Sequence, residues 1–354
     1  MEQKRLGDIA TYVNGYPFKP EDRGKEGLPI IRIQDLTGNA YDLGFYAGDY
    51  PKRVEINNGD ILISWSASLG VYIWDRGKAL LNQHIFKVVF DKVAVDKRFF
   101  VYAVQHKLME MESKTHGATM KHIVKKDFDN TSIPFPSLVR QAEIARILFK
   151  VESIIHSRKV ELQKLDDLIK ARFVEMFGDM ILNPNGWNRY QLGDVCDVRD
   201  GTHDSPKFYN VGYPLVTSKN VTAGRIDLTN CSLICDDDYK KINQRSKVDY
   251  GDILMPMIGT VGKPVIVDVE PEFAIKNVSL IKFKSNSRVL NSFVKALLES
   301  DYFDNSVVSK IRGGTQKFIS LGDIRKLEIC LPPIETQKLF AAFVAQVDKS
   351  KVAV

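Results

Sequence analysis

The stretch SLVRQAEIARILFKVESIIHSRKVELQKLDDLIKARFVEMFG, residues 137–178, decides the fold of this chain. Its apolar residues recur at alternating steps of four and three, which is the spacing of a coiled-coil seam. The seam consists of Ile144, Leu148, Val151, Ile155, Leu162, Leu165, Ile169 and Met176. Because neither proline nor glycine interrupts residues 137–177, we predict one helix from Ser137 to about Phe177, roughly 60 Å long at ~1.5 Å per residue.

Two arginines, Arg158 and Arg172, occupy the remaining seam positions, where a buried charge needs a carboxylate partner or an extended stem. The same periodicity returns from Glu335 onward and predicts a second, shorter helix. Its seam residues are Phe340, Val344 and Val347. We expect the two helices to pair antiparallel.

The segments on the two sides of the central helix repeat each other in the same order. Self-similarity over such a long period indicates a duplicated architecture. The matching pairs are the Leu-Gly-Asp starts at 6–9 and 192–195, glycine loops at 14–16 and 200–202, strand-like runs at 28–33 and 213–217, Gly-Asp turns with strands at 58–63 and 250–255, further strands at 81–86 and 275–280, aromatic helical stretches at 99–111 and 293–303, second glycine loops at 117–123 and 314–319, and proline boundaries at 133–136 and 331–334.

These features predict an α+β protein in which two similar α/β domains are separated by a pair of long antiparallel coiled-coil helices. The expected domains are residues 1–136 and 179–333. The central helix occupies residues 137–178 and the distal helix residues 334–354. One ancestral unit has been duplicated.

Composition points to a basic globular protein: 44% of its residues are hydrophobic, 27% are charged, and the formal net charge is +6. A polyanionic partner fits this charge, since phosphate contacts need lysine and arginine. We expect a cytoplasmic protein without a membrane partner, because the sequence has neither a spanning apolar run nor a secretion signal. Its four cysteines are expected to be reduced packing residues without a metal; they are Cys196, Cys231, Cys235 and Cys330.

No stretch of the sequence matches a catalytic or cofactor site. A DNA adenine methyltransferase needs an Asn/Asp-Pro-Pro-aromatic motif, which is missing from the sequence. Residues 259–263 are similar to a phosphate loop, but Met257 stands where its first glycine belongs and Pro264 where a Ser or Thr must meet magnesium. We therefore predict no catalytic residue, no metal and no cofactor in this chain.

Taken together, the repeated motifs resemble the specificity subunit of type I restriction-modification systems over essentially the whole chain. The resemblance is carried by the two Leu-Gly-Asp starts, the loop at 200–206, the paired glycine loops, the proline boundaries with Gln141 and Gln337, and the helix exit at 177–179 followed by Asn183-Pro184. It implies that each domain reads one half of a split double-stranded DNA target and that the helices space the half-sites. It also implies two kinds of partner: methyltransferase subunits, which bring S-adenosylmethionine, and restriction subunits. The distal helix is about half as long as the central one, which departs from the family, so we expect either an incomplete methyltransferase-docking surface near it or a shortened chain.

Candidate DNA contacts are polar and basic residues on loops that could face a groove. The first choices lie in the second pair of glycine loops: Thr119, Lys121, His122, Arg312, Thr315, Gln316 and Lys317. Further candidates follow the strand-like runs or lie in the loop at 200–207: Arg32, Gln34, Ser218, Lys219, Asn220, His203 and Lys207. A solvated turn with no ligand is the alternative for each loop.

Two other functions remain open for the whole chain. It could be a scaffold or inhibitor that mimics the specificity subunit without reading DNA, which the short distal helix favours. It could also be a fragment of a fused restriction-modification enzyme whose catalytic half lies elsewhere.

Overall fold

The computed structural model describes residues 2–39, 42–114, 123–222, 224–257, 262–284, 287–310 and 318–353. The chain divides into two compact units, unit 1 (Met1–His156) and unit 2 (Ser157–Val354). The boundary lies inside one continuous helix. Each unit is described below by itself.

Unit 1 is a mixed α/β unit. Its described strands are β1 (Gln3–Arg5), β2 (Thr11–Asn14), β3 (Leu28–Ile31), β4 (Gly44–Tyr46), β5 (Glu55–Ile56), β6 (Ile61–Ser64), β7 (Gly70–Ile73), β8 (Ala79–Leu81), β9 (Ile85–Val89) and β10 (Ser132–Pro134). Its described helices are α1 (Leu6–Ile9), α2 (Ile33–Thr37), α3 (Lys97–Lys114) and α4 (Lys125–Asn130), followed by the start of α5 (Leu138–Phe177).

The described strands of unit 1 form three sheets. The first is antiparallel with the order β2-β9-β6-β7, and the second has the order β4-β3-β8-β5 with β3 and β8 parallel. The third pairs β1 with β10, which brings the start of the unit beside the strand that leads into α5. Phe86, Phe100 and Phe128 fill the core between the first sheet and the helices.

Unit 2 contains the rest of α5 and repeats the pattern. Its described strands are β11 (Arg189–Gln191), β12 (Asp197–Asp200), β13 (Tyr213–Val216), β14 (Val221–Thr222), β15 (Arg225–Ile226), β16 (Ser232–Ile234), β17 (Ile253–Pro256), β18 (Val265–Ile266), β19 (Ala274–Ile275), β20 (Val278–Lys282) and β21 (Glu328–Cys330). Its described helices are α6 (Leu192–Val195), α7 (Asp236–Ser246), α8 (Asn291–Leu298), α9 (Asp301–Ser306), α10 (Leu321–Arg325) and α11 (Ile334–Ala353).

The sheets of unit 2 follow the strand order of unit 1, except that β5 has no counterpart among the described strands of unit 2 and that β14 and β15 form an additional pair. The order β12-β20-β17-β18 corresponds to β2-β9-β6-β7, and β16-β13-β19 corresponds to β4-β3-β8, again with one parallel pair. Strands β11 and β21 pair antiparallel as β1 and β10 do. The predicted duplication is therefore present in the strand order itself.

The repeated Gly-Asp turn shows why the two copies fold alike. Gly59 and Gly251 have φ angles of 88° and 86°, which glycine adopts at little cost. The following carboxylate, Asp60 or Asp252, accepts a hydrogen bond at 2.8 Å from the backbone N–H three residues earlier. Each turn thus delivers the chain into the central buried strand, β6 or β17.

The predicted single strands at 81–86 and 275–280 were wrong. The run at 81–86 is not one strand: β8 and β9 belong to different sheets, because His84 adopts a φ of 71° and turns the chain between them. Asn277, with a φ of 53°, separates β19 from β20 in the same way. The predicted helical stretch at 293–303 is helical and consists of two helices, since Ser300 leaves the helical conformation and becomes the N-cap of α9.

The predicted central helix is confirmed as α5, which is 40 residues long. The distal helix α11 packs against its C-terminal part: the ring of Phe340 lies 5.2 Å from that of Phe177, and Lys351 Nζ lies 2.8 Å from Asp166 Oδ1. From the first contact to the second, residue numbers rise along α11 and fall along α5. The two helices therefore pair antiparallel, as predicted.

Candidate nucleic-acid interface

The seven first-choice DNA contacts fall outside the described residues. They are Thr119, Lys121, His122, Arg312, Thr315, Gln316 and Lys317. The residues that follow the two loops are described and occupy equivalent places. Ile123 N–H donates to Trp65 O at 2.9 Å, and Ile319 N–H donates to Met257 O at 3.0 Å. Both loops therefore end beside the residue that follows the central strand of their own unit.

Arg32 and Gln34, which follow β3, differ in their surroundings. The Arg32 side chain is 13% exposed; its Nε lies 3.0 Å from Asp35 Oδ2, and its Nη2 donates to the Asp42 carbonyl at 2.6 Å. Arg32 is thus engaged in holding the turn after β3, which corrects its assignment as a free base contact. Gln34 is exposed on α2.

The corresponding turn after β13 also contains one candidate that holds the turn and others that are more exposed. Asn220 is buried: its Oδ1 accepts from the backbone N–H of Thr217 at 3.0 Å, and its Nδ2 donates to Asp227 O at 3.3 Å. These bonds fix the loop, so Asn220 is a structural residue and not a free base contact. Ser218 is half-buried, and Lys219 is exposed.

The loop after β12 holds a hydrogen-bonded polar cluster. His203 Nε2 lies 2.8 Å from Asp200 Oδ2, and its Nδ1 lies 2.8 Å from Asn277 Oδ1. Arg245 Nη2, on α7, bonds to the other carboxylate oxygen of Asp200. The hydrogen bonds that His203 makes to the Asn277 amide oxygen and then to the Asp200 carboxylate raise its pKa, against the opposing effect of burial. Lys207 is exposed farther along this loop.

Sequence reasoning missed the groups that organise this cluster. Asp200 belongs to the loop motif at 200–206, and its position at the end of a strand could have marked it as a candidate. Arg245 lies 45 residues from Asp200 and carries no motif. Asn277 was placed inside a strand, whereas its positive φ makes it the turn that faces His203.

The predicted seam divides into a packed part and an exposed part. Ile169, Met176, Phe340 and Val344 pack against the main core of unit 2, and Val347 is 5% exposed. Ile144 and Leu165 are half-buried. Four seam residues are instead 36–50% exposed: Leu148, Val151, Ile155 and Leu162. We call these four the exposed stripe.

The arginines at seam positions find partners within α5. Arg158 Nη1 and Arg172 Nη1 each lie 2.7 Å from a glutamate three residues ahead, Glu161 and Glu175. The Arg172 guanidinium also lies over the ring of Phe343, 5.6 Å from its centroid. Neither charge is buried without a partner.

A buried glutamine joins each helix to its own unit. Gln141 Oε1 accepts from Asp96 N–H at 3.0 Å, and its Nε2 donates to Pro136 O at 2.8 Å. Gln337 does the same with Leu290 N–H and Pro332 O, both at 2.8 Å. In each case the accepted N–H belongs to the residue just before a packing helix, α3 or α8. The first turn of each long helix is thereby fixed to the unit that precedes it.

The described residues contain neither a candidate metal centre nor a candidate membrane-spanning helix. Across the described ranges, no three His, Cys, Asp or Glu side chains are grouped so that they could hold a metal ion. None of the described helices combines the length and apolarity needed to cross a membrane. The four cysteines are free, and burial raises the pKa of the Cys196 thiol to about 12.

Comparison with known proteins gives a match for each half of the chain. A family model described as the type I restriction modification DNA specificity domain matches residues 1–166 and again residues 184–354. The EcoBI type I restriction enzyme specificity subunit of Escherichia coli is 25% identical over 370 residues, which span 94% of this chain and 76% of that one. The MjaVIII specificity subunit of Methanocaldococcus jannaschii is 26% identical over 368 residues, spanning 98% and 86%.

Solved structures have a similar fold. The type I restriction-modification S subunit from M. genitalium superposes with a TM-score of 0.55 at 15% identity, covering 99% of this chain and 90% of that one. A chain from a study of complex assembly and conformational transition of the type I R-M system gives 0.52 at 18% identity, covering 99% and 91%. At these identities the likeness concerns the fold alone.

Proposed function

Because this chain belongs to the family of type I restriction modification DNA specificity domains, we propose that its two units read a split double-stranded DNA target, one half-site each. One observation carries the proposal: the chain contains the same unit twice, with matching strand orders, matching Gly-Asp turns and matching glutamine joints. Two like readers in one polypeptide suit a target with two specific halves.

The reading residues are expected on loops at equivalent places in the two units. In unit 1 these are Thr119, Lys121 and His122, with Gln34 as a further contact. In unit 2 the candidates are Arg312, Thr315, Gln316, Lys317, Ser218, Lys219 and Lys207, and His203 acts beside them as a positioning residue. Their donors and acceptors suit base edges and phosphates.

We propose that α5 sets the gap between the half-sites and that the exposed stripe binds methyltransferase subunits. Apolar residues at neighbouring seam positions, interrupted only by Arg158, on an exposed helix face mark a protein contact. Those subunits would supply S-adenosylmethionine chemistry, and restriction subunits would join through the assembled complex. Specificity subunits are non-catalytic members of this family, and we infer the same for the purified chain, which should neither transfer methyl groups, hydrolyse nucleotides nor cut DNA.

The test of two-part reading is a domain exchange. Residues 1–136 are replaced by the equivalent unit of a related subunit, the chain is assembled with its methyltransferase, and methylated adenines are mapped in exposed DNA. We expect one half of the target to change while the other half and the gap stay the same. If both halves change together, the units are not independent readers.

The same assay separates the other candidate functions. Tight methyltransferase binding without any sequence-specific methylation would support the hypothesis that the chain is a scaffold or inhibitor. Methylation by the chain alone would contradict the hypothesis of a non-catalytic subunit. For the docking surface, Ile155→Asp should weaken methyltransferase capture in a pull-down. The control is Ser157→Asp, which lies roughly 160° away on the helix at about 100° per residue and should not weaken capture. Equal capture by both variants and the parent protein would show that the exposed stripe is not the docking site.

A further inference from the structure

A buried carboxylate on unit 2 holds two exposed cationic side chains next to each other. The Asp200 side chain is 7% exposed, whereas those of His203 and Arg245 are 61% and 67% exposed. Both bond to the same carboxylate, one to each oxygen. The two heads are therefore held close together at the surface, with little side-chain freedom left to lose when a ligand binds.

The net charge of the cluster depends on the proton of His203. Both ring nitrogens face oxygen atoms, those of Asp200 and Asn277, and only the imidazolium form donates to both. With His203 neutral, the charges of Asp200 and Arg245 cancel. With His203 protonated, Asp200 is shared between two cations, and one positive charge remains for an outside anion.

The neighbouring side chains add to this positive charge. Lys276, from the turn that carries Asn277, donates from Nζ to Ser205 Oγ at 2.7 Å, and Lys207 is exposed on the same loop. Asp204 is the one acidic residue within the loop at 201–207. On the β12 side, Arg199 donates to the backbone carbonyl of Arg245 at 2.8 Å and is itself paired with Asp197.

We propose that Arg245 binds one phosphate diester of the DNA backbone beside the half-site read by unit 2, and that His203 switches this contact on when it is protonated. The inference rests on the proposed function. A guanidinium has five N–H donors, and the bond to Asp200 engages one nitrogen, so its fork remains suited to phosphate oxygens. Phosphate contacts position a protein without reading bases, so His203 is a positioning residue that acts through Asp200.

The experiment measures DNA affinity of the assembled complex at several salt concentrations. Arg245→Gln removes the phosphate contact, and Arg245→Lys keeps the charge. The matched control is Lys240→Gln, which removes one charge from the same helix at roughly 140° from Arg245. We expect Arg245→Gln to lower affinity about fivefold near 0.15 M salt and to reduce the salt slope by about 0.9, equally on all sequences. Lys240→Gln should keep the wild-type slope, and Arg245→Lys should keep most of it.

To test the role of His203, DNA affinity is measured from about pH 5 to 8. The folded pKa of His203 is raised, so its proton is held to higher pH than in a free histidine, and wild-type affinity should fall as pH rises through that value. His203→Gln should bind weakly and without that pH dependence. Circular dichroism checks that each variant is folded. A pH profile unchanged by His203→Gln overturns the switch, and a salt slope unchanged by Arg245→Gln overturns the phosphate contact.

Two further arms identify the ligand and separate this inference from the proposed function. Replacing the contacted phosphate by a neutral methylphosphonate should remove the difference between wild type and Arg245→Gln. Inorganic phosphate at constant ionic strength should not compete with DNA; competition that Arg245→Gln abolishes would instead show a site for free anions. Should the wild-type complex show no sequence preference, the proposed function fails, whereas the salt slopes on a random duplex still test Arg245.

Discussion

Gln337 offers the sharpest test of how the distal helix is fixed to unit 2. Its side chain is completely buried, and it makes three hydrogen bonds: Oε1 accepts from Leu290 N–H at 2.8 Å, and Nε2 donates to Pro332 O at 2.8 Å and to Arg288 O at 3.0 Å. Gln337→Leu keeps a similar volume but removes all three. One backbone N–H and two carbonyls, of which the Pro332 carbonyl bond is buried, lose their partner.

The expected cost follows from the hydrogen bonds. Each net hydrogen bond contributes about 1 kcal/mol, and an unsatisfied buried group costs about 1–3 kcal/mol, so the free energy of unfolding of unit 2 should fall by about 3–5 kcal/mol. The damage should concentrate where α11 begins and where Leu290 caps α8. Gln346→Leu, on an exposed position of α11, is the matched control and should change stability by less than about 0.5 kcal/mol.

Urea denaturation of the full chain measures the global effect, and hydrogen exchange resolves it along the sequence. In Gln337→Leu, amides of α8 and α11 should exchange faster, while those of β6 and β9 in unit 1 should keep their wild-type rates. Gln141→Leu should give the mirror result, with faster exchange in α3. A Gln337→Leu protein as stable as the Gln346→Leu control would refute the view that the glutamine fixes the helix to its unit.

Three further outcomes follow from the structure. Inserting four residues at Arg158 adds ~6 Å and about 40° to α5, so methylation mapping should show a gap longer by one or two base pairs at about 3.4 Å each; an unchanged gap with full activity would mean that α5 is not the ruler. Phe340→Ala should lower the unfolding free energy by about 3–5 kcal/mol in urea, since the ring is fully buried; a loss below 1 kcal/mol would contradict that packing. Gly59→Ala should lower the unfolding free energy by about 1–2 kcal/mol because of the left-handed φ at this position. Gly15→Ala should lower it more, because the added Cβ would lie 2.0 Å from the Asn82 carbonyl oxygen. A larger loss of thermal stability for Gly59→Ala than for Gly15→Ala would be inconsistent with this geometry.

Some features of this protein were readable from the sequence because they depend on near neighbours along the chain. The helix at 138–177 follows from a spacing repeated every few residues. Gly59 and Gly251 could be assigned to turns because glycine adopts positive φ at little cost. The duplication needed only the order of such local signals, and it led to the right fold and family before any contact was known.

The breaks at His84 and Asn277 were not readable, although they are local. Neither residue is glycine or proline, so nothing in the apolar pattern distinguished one strand at 81–86 from two strands in different sheets. Asparagine and histidine adopt a positive φ more readily than most residues, but this preference is too weak to predict a break inside a run that otherwise has the pattern of a strand.

Only the tertiary structure decided which polar and apolar groups meet. The bond between Asp200 and Arg245 joins residues 45 positions apart, and it exists because α7 passes the end of β12. The periodicity of α5 established an apolar face but not its occupant: α11 covers the part near Phe177, while Leu148 and Ile155 stay exposed. Spacing along a chain fixes the direction in which a side chain points from its helix, whereas its partner depends on the path of every element between them.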